Sequence, residues 1–175
     1  LGAFQNGVYK SVAFLASVPY VLSVVIHTKL LPEYSRGIEN GNNSQVRDSY
    51  LKITKGLILL SIFLVIVSIF VSKFVISLLY TEEISELGSQ YFIPLLIAVS
   101  LYVIASPSIA LLLASGREVF VRNLSILQTV LFVLISLVVV YNLELIWLAI
   151  TMLFVNLIYF LLALRQSSII LKVTR

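Results

Sequence analysis

Apolar residues fill five long stretches of this 175-residue chain, and polar residues are concentrated in the segments between them. Each stretch has about 20 residues or more, the length that a helix needs to cross the hydrocarbon core of a bilayer. The pattern predicts helices at 4–31, 56–80, 88–115, 119–141 and 144–164. We therefore expect an all-α, polytopic transmembrane bundle with five spans, forming one domain over 1–175.

The polar segment at 32–55 is the only long hydrophilic stretch and is expected to be a cytoplasmic loop. Its Gly-Ile-Glu-Asn-Gly-Asn-Asn run at 37–43 is typical of a turn, and 44–55 predicts a short surface helix. Residues 165–175 predict a short amphipathic tail. Pro19 and Pro107 lie inside predicted spans and predict bends, because proline lacks the backbone N–H of a regular helix.

Composition excludes several classes of protein. Apolar residues make up 60% of the chain and charged residues 11%, against roughly 45–50% and 25% in soluble domains. With no Cys and one His, a His/Cys metal site is not expected. All eight acids fall in loops or at helix ends, so no carboxylate is placed to couple protons or sodium. We expect no enzyme activity, no cofactor and no nucleic-acid partner.

Charge placement predicts the orientation in the membrane. Ten of the twelve Lys and Arg residues fall in 29–55, 117–122 and 165–175, whereas the turn between spans two and three carries three glutamates. Basic loops stay in the cytoplasm. The expected location is therefore the cell membrane, multi-pass, with the C-terminus cytoplasmic and the N-terminus of this chain extracytoplasmic.

The first predicted helix has a polar and small stripe at spacings of three and four. Its members are Asn6, Lys10, Ala13, Ser17, Tyr20 and His27. Such a face points to a bundle interior or a water-filled cavity, where Lys10 would offer a cation to an anionic ligand. Two alternatives remain open: the small residues permit close helix packing, or Lys10 snorkels to the interface.

The first 36 residues resemble a recurring segment of polysaccharide-unit flippases in the multidrug/oligosaccharidyl-lipid/polysaccharide exporter superfamily. The matching positions are Gly2, Phe4, Tyr9, Lys10, Pro19, Leu31, Pro32, Ser35 and Arg36. The turn at 114–117, Ala-Ser-Gly-Arg, and the short loop near 78–96 are also similar to that family. The chain thus resembles part of the second half of a two-lobed exporter.

The resemblance implies a transporter portion that flips lipid-linked oligosaccharide or polysaccharide units by alternating access. It implies Asn6, Tyr9, Lys10, Ser17 and Tyr20 as substrate-binding cavity residues, with Lys10 on the lipid phosphate. Pro32 and Arg36 are candidates for the cytoplasmic mouth, although Arg36 also fits ordinary positive-inside charge.

The partners implied are the lipid-linked glycan, membrane lipids and the remainder of the chain, since upstream helices are expected. The alternatives are a multidrug-type small-molecule exporter of the same superfamily and a non-transporting membrane scaffold or gene remnant.

Overall fold

The computed structural model describes residues 3–142 and 144–173, and this part of the chain is helical, with no strand. The helices are α1 (Ala3–Ala16), α2 (Tyr20–Glu39), α3 (Asn43–Leu79), α4 (Glu82–Ala114), α5 (Glu118–Asn142) and α6 (Ile146–Val173). Helices α1 and α2 follow one another as one membrane-length segment, so five segments are long and apolar enough to cross a membrane. The predicted all-α bundle is confirmed.

Helix α4 is the central element of the bundle. It contacts each of the other five helices, and 83% of its most apolar window is buried by protein, against 6% for α5. Fully buried small residues such as Ala98, Ala105 and Ala110 let neighbouring backbones approach it closely. The helix is therefore surrounded by protein, while most side chains of α5 lie on the outside of the bundle.

The antiparallel connections bring most of the basic residues to one end of the bundle, while the eight acids divide equally between the two ends. We call the end with the α2–α3 turn, the α4–α5 turn and the last turn of α6 the basic end. Nine Lys and Arg residues lie toward it: Lys29, Arg36, Arg47, Lys52, Lys55, Arg117, Arg122, Arg165 and Lys172. The opposite, acidic end carries Glu82, Glu83, Glu86 and Glu144. Arg175 lies outside the described residues.

Two glycines close the interhelical turns of the basic end. Gly41 and Gly116 have φ of 73° and 71°, a left-handed conformation that costs glycine little. In both turns two backbone N–H groups donate back into the preceding helix, the Schellman arrangement that ends many helices. These bonds are Gly41 to Ile38, Asn42 to Gly37, Gly116 to Leu113 and Arg117 to Leu112.

The prediction of a loop at 32–55 is wrong. Helix α2 continues through Pro32 to Glu39 and α3 begins at Asn43, so the two helices form a hairpin with a turn at 40–42. Tyr34, Val46 and Tyr50 are buried in a shared cluster, and this packing keeps the polar segments helical beyond the apolar spans. The predicted surface helix at 44–55 is the first part of α3.

Helices α4 and α6 also extend beyond their predicted boundaries. Helix α4 begins at Glu82 instead of 88, and α6 continues to Val173 through the segment predicted as a separate tail. Ser167 is fully buried and bonded to Ser108 and Tyr50, which holds this last part of α6 against α4 and α3. Hydropathy marks where the apolar part of a helix ends, and the helix itself extends further.

Candidate functional site

The first predicted span is interrupted at Ser17–Pro19, midway between Lys10 and Lys29. Pro19 has no N–H to donate, and the next residues bond to carbonyls three positions back: Tyr20 to Ser17 at 2.8 Å and Leu22 to Pro19 at 3.0 Å. The Ser17 hydroxyl donates to the Phe14 carbonyl at 2.6 Å. Interrupted helices near the centre of a membrane are where transporters commonly build binding sites.

Three tyrosine rings stack beside this interruption. The Tyr20 and Tyr102 ring centroids are 5.1 Å apart with 28° between planes, and those of Tyr102 and Tyr159 are 5.4 Å apart with 16°. The rings come from α2, α4 and α6, each from the middle part of its span. Offset stacking contributes about 0.5–1.5 kcal/mol per pair beyond area burial. The stack therefore ties α2 and α6 to the central helix.

The tyrosine stack runs from the interior of the bundle to its surface. Tyr159 is 3% exposed, Tyr102 is half-buried and Tyr20 is 45% exposed. The Tyr20 and Tyr102 hydroxyls are 3.5 Å apart. The stack thus offers one free ring face and phenolic hydroxyls at a depth where polar groups are otherwise costly.

The predicted cavity residues fall into two groups. Ser17 and Tyr20 lie together at the interruption, whereas Asn6, Tyr9 and Lys10 lie toward the acidic end. Tyr9 packs edge-on against Tyr91 with centroids 5.8 Å apart, while Asn6 and Lys10 are exposed.

The position of Lys10 along the bundle axis follows from a contact of its sequence neighbour Ser11. The Tyr80 hydroxyl, at the end of α3, donates to the Ser11 carbonyl at 3.4 Å. Lys10 is therefore level with the acidic end of α3. Along the helix it stands about 15 Å from Tyr20, at 1.5 Å per residue.

The two residues predicted to lie at the cytoplasmic mouth are both in one recess at the basic end. Pro32 and Arg36 line a cavity of about 360 Å³ between α2 and α3, which we call the α2–α3 recess. It is on the opposite side of the helix interruption from Lys10. The structure therefore separates the candidates into an acidic-end group, a central group and a basic-end group.

Sequence reasoning missed Tyr102 and Tyr159. Each is a tyrosine in an apolar run, and that is the one local signal available; their spacing from Tyr20 gives no hint of contact. A second polar cluster acts between helices: Asn156 donates to the Ala98 carbonyl at 2.8 Å and accepts from Gln128 at 2.7 Å. Buried bonds of this kind stabilise helix packing by about 0.6 kcal/mol each on average.

The described residues contain no group of three His, Asp or Glu side chains that could hold a metal ion. Comparison with protein-family models, curated proteins and solved structures gave no match to this chain. The flippase resemblance in the sequence therefore stays a prediction, and function is argued from the geometry of the bundle.

Proposed function

We propose that this chain is part of a membrane transporter that moves lipid-linked oligosaccharide or polysaccharide units across the cytoplasmic membrane by alternating access. The observation that supports this is the helix interruption at Ser17–Pro19 with the tyrosine stack beside it. A change of helix geometry at mid-depth, with tyrosine hydroxyls beside it, is a feature that a substrate path can use.

We assign the chemically different parts of the substrate to different sites. The apolar face of a sugar ring packs on the exposed face of Tyr20, and its hydroxyls bond to the phenolic groups and Ser17. The phosphate of the lipid carrier is attracted by Lys10 at the acidic end. Pro32 and Arg36 contact the phosphate at the basic end.

The interruption also supplies a joint for alternating access. Helix α1 packs on α4 at the acidic end, and α2 packs on α4 and α3 toward the basic end. A few residues between two packed segments absorb the backbone changes of a hinge. In this proposal the basic end is cytoplasmic, and a second helical bundle supplies the opposite wall of the cavity.

The test is complementation of a flippase-deficient strain by the intact gene, carrying Tyr20→Ala. Loss of one stacking surface is expected to lower glycan export about tenfold, which corresponds to the upper part of the energy of one aromatic pair. Phe14→Ala is the matched control, because Phe14 is 75% exposed on α1 and belongs to no aromatic pair of the described residues. It is expected to keep export unchanged at equal membrane abundance.

Three outcomes contradict parts of the proposal. Equal export by the Tyr20→Ala and Phe14→Ala variants removes the tyrosine stack from the substrate path. Drug efflux without glycan export by the unsubstituted gene points to a small-molecule exporter. Neither activity in a strain where the protein reaches the membrane points to a scaffold.

A further inference from the structure

The α2–α3 recess combines two cations with several amide side chains. Its lining residues include Lys29, Pro32, Arg36, Asn40, Asn42 and Gln45. Lys29 and Arg36 are two turns apart on α2, so their long side chains reach the same space from either side of Pro32. Guanidinium, ammonium and amide N–H groups are all donors, which suits an oxyanion with several acceptor oxygens.

Neither cation forms an ion pair with a carboxylate within the described part of the chain. The ion pair among the described residues lies at the acidic end, where Lys73 Nζ is 3.5 Å from Glu86 Oε1 and both side chains are exposed. Glu33 also lines the recess, at helix spacing from both cations, but its Oε1 accepts a 2.7 Å hydrogen bond from the Ser49 hydroxyl. The recess therefore keeps two charges available, with one carboxylate held toward α3.

The recess lies where the apolar part of α2 ends. Leu30 and Tyr34 are fully buried against Tyr50 of α3, while Lys29 is exposed. A Lys or Arg residue at this level is near lipid phosphates. Lys29 thus lies where the apolar part of α2 ends, and Arg36 stands further from the apolar zone by about 10 Å at 1.5 Å per residue.

A second, apolar cavity adjoins the recess. It has a volume of about 250 Å³ and is lined by Ile38, Leu111, Ile169 and Leu171 among others. Val46, near the start of α3, lines both cavities. Charged donors and apolar side chains therefore lie close together at this end of the bundle.

We propose that the α2–α3 recess binds the phosphate headgroup of an anionic membrane amphiphile. Lys29 and Arg36 contact the phosphate, the amides of Asn40 and Gln45 contact the rest of the headgroup, and the acyl chains lie beside the apolar part of α2. Pro32 and Arg36 of this recess are also the residues that the transport proposal places near the phosphate of the lipid carrier, but the inference concerns binding alone and is measured without transport.

The test is isothermal titration calorimetry of the full chain in a neutral detergent with dioctanoyl phosphatidylglycerol. Lys29→Gln combined with Arg36→Gln is expected to raise Kd about 30-fold, since each surface cation contributes roughly a factor of five. The control is Lys52→Gln combined with Arg122→Gln, which removes two exposed charges from the same end outside both cavities. It is expected to change Kd by less than about threefold, because screening limits distant charges.

Glu33→Gln gives an independent and opposite expectation. It removes the carboxylate nearest to the bound phosphate, so Kd for phosphatidylglycerol is expected to fall. Arg36→Lys keeps the charge but loses the two-pronged geometry, and is expected to lie between the unsubstituted chain and the double variant. These single variants carry the test if the double variant fails to keep its helical circular dichroism.

Several results overturn the proposal. Equal loss in the two double variants means diffuse attraction without a site. Equal affinity for dioctanoyl phosphatidylcholine means that anionic charge is not recognised. Inorganic pyrophosphate binding as tightly as phosphatidylglycerol assigns the recess to a free phosphate. A higher Kd for Glu33→Gln places the phosphate elsewhere.

Discussion

Single small residues decide how closely the helices of this bundle approach. Gly88 of α4 is buried, and a Cβ atom there would lie 2.6 Å from Cγ2 of Val12 on α1. Gly37 of α2 faces Val46 of α3 in the same way at the basic end. In a membrane, where lipid is as apolar as the side chains, such close contact is a main source of helix association.

Gly88→Ala is therefore expected to lower the free energy of unfolding by about 1–3 kcal/mol, the usual cost of forcing extra volume into a packed site. The measurement is detergent-induced unfolding followed by circular dichroism. Adding Val12→Ala is expected to restore part of the loss. Gly7→Ala is the matched control, because its new Cβ meets nothing within 4 Å. Helix propensity favours Ala over Gly, so the control is expected to keep or gain stability. A loss of equal size in the control would show that the α1–α4 contact does not govern the effect.

At the scale of elements, proline has different consequences at different positions. The helix tightens at Ser17–Pro19 into a turn with hydrogen bonds to carbonyls three residues back, while α2 continues through Pro32 and α4 through Pro94 and Pro107. Pro107 is buried within the bundle, where neighbouring helices hold α4 in place. Around Pro19 the side chains of Val18 and Val21 are exposed, so packing on that side does not enforce a continuous helix.

Pro19→Ala is expected to restore a backbone donor and make α1 and α2 more nearly continuous. The natural chain has no Cys, so Asn6→Cys and Thr28→Cys introduce a unique pair of spin labels at exposed positions. In electron paramagnetic resonance measurements, the distribution of distances between the two labels is expected to become narrower. Its mean is expected to approach the roughly 33 Å of a straight helix over 22 residues. Pro32→Ala, beyond the labelled segment, is the control and should leave the distribution unchanged. Identical distributions with and without Pro19 would show that the interruption does not depend on the proline.

At the scale of the whole molecule, the two ends differ in charge, and this asymmetry sets the expected topology. The basic end carries nine described cations and four acids, and the acidic end carries four glutamates with Lys73 and Lys10. Because Lys and Arg are retained in the cytoplasm during insertion, the basic end is expected to face inward.

This orientation is tested with a membrane-impermeant maleimide on intact cells. Glu83→Cys, exposed at the acidic end, is expected to react at once, whereas Ser44→Cys, exposed at the basic end, reacts only after permeabilisation. The unsubstituted chain has no Cys and provides the background. The reverse pattern would place the basic end outside and contradict both the orientation and the proposed direction of transport.

The sequence by itself determined the helical class, the five membrane-length segments and the concentration of basic residues at one end. These features follow from hydropathy, charge and backbone chemistry, which are properties of neighbouring residues. The sequence predicted bends at Pro19 and Pro107 alike and did not distinguish the turn at Pro19 from the continuous helix at Pro107. It also placed Ser17 and Tyr20 on one face, and both lie at the interruption.

Only the tertiary structure decided that α4 is central, that α2 and α3 extend as a hairpin beyond their apolar parts, and that Tyr20 stacks on Tyr102 and Tyr159. Tyr20 and Tyr102 are 82 positions apart, and no periodicity within a helix encodes a contact between helices. The α2–α3 recess depends likewise on Tyr34 and Tyr50 packing across the hairpin. Such contacts depend on the shapes of side chains distant in sequence, which pack together only after the helices have formed.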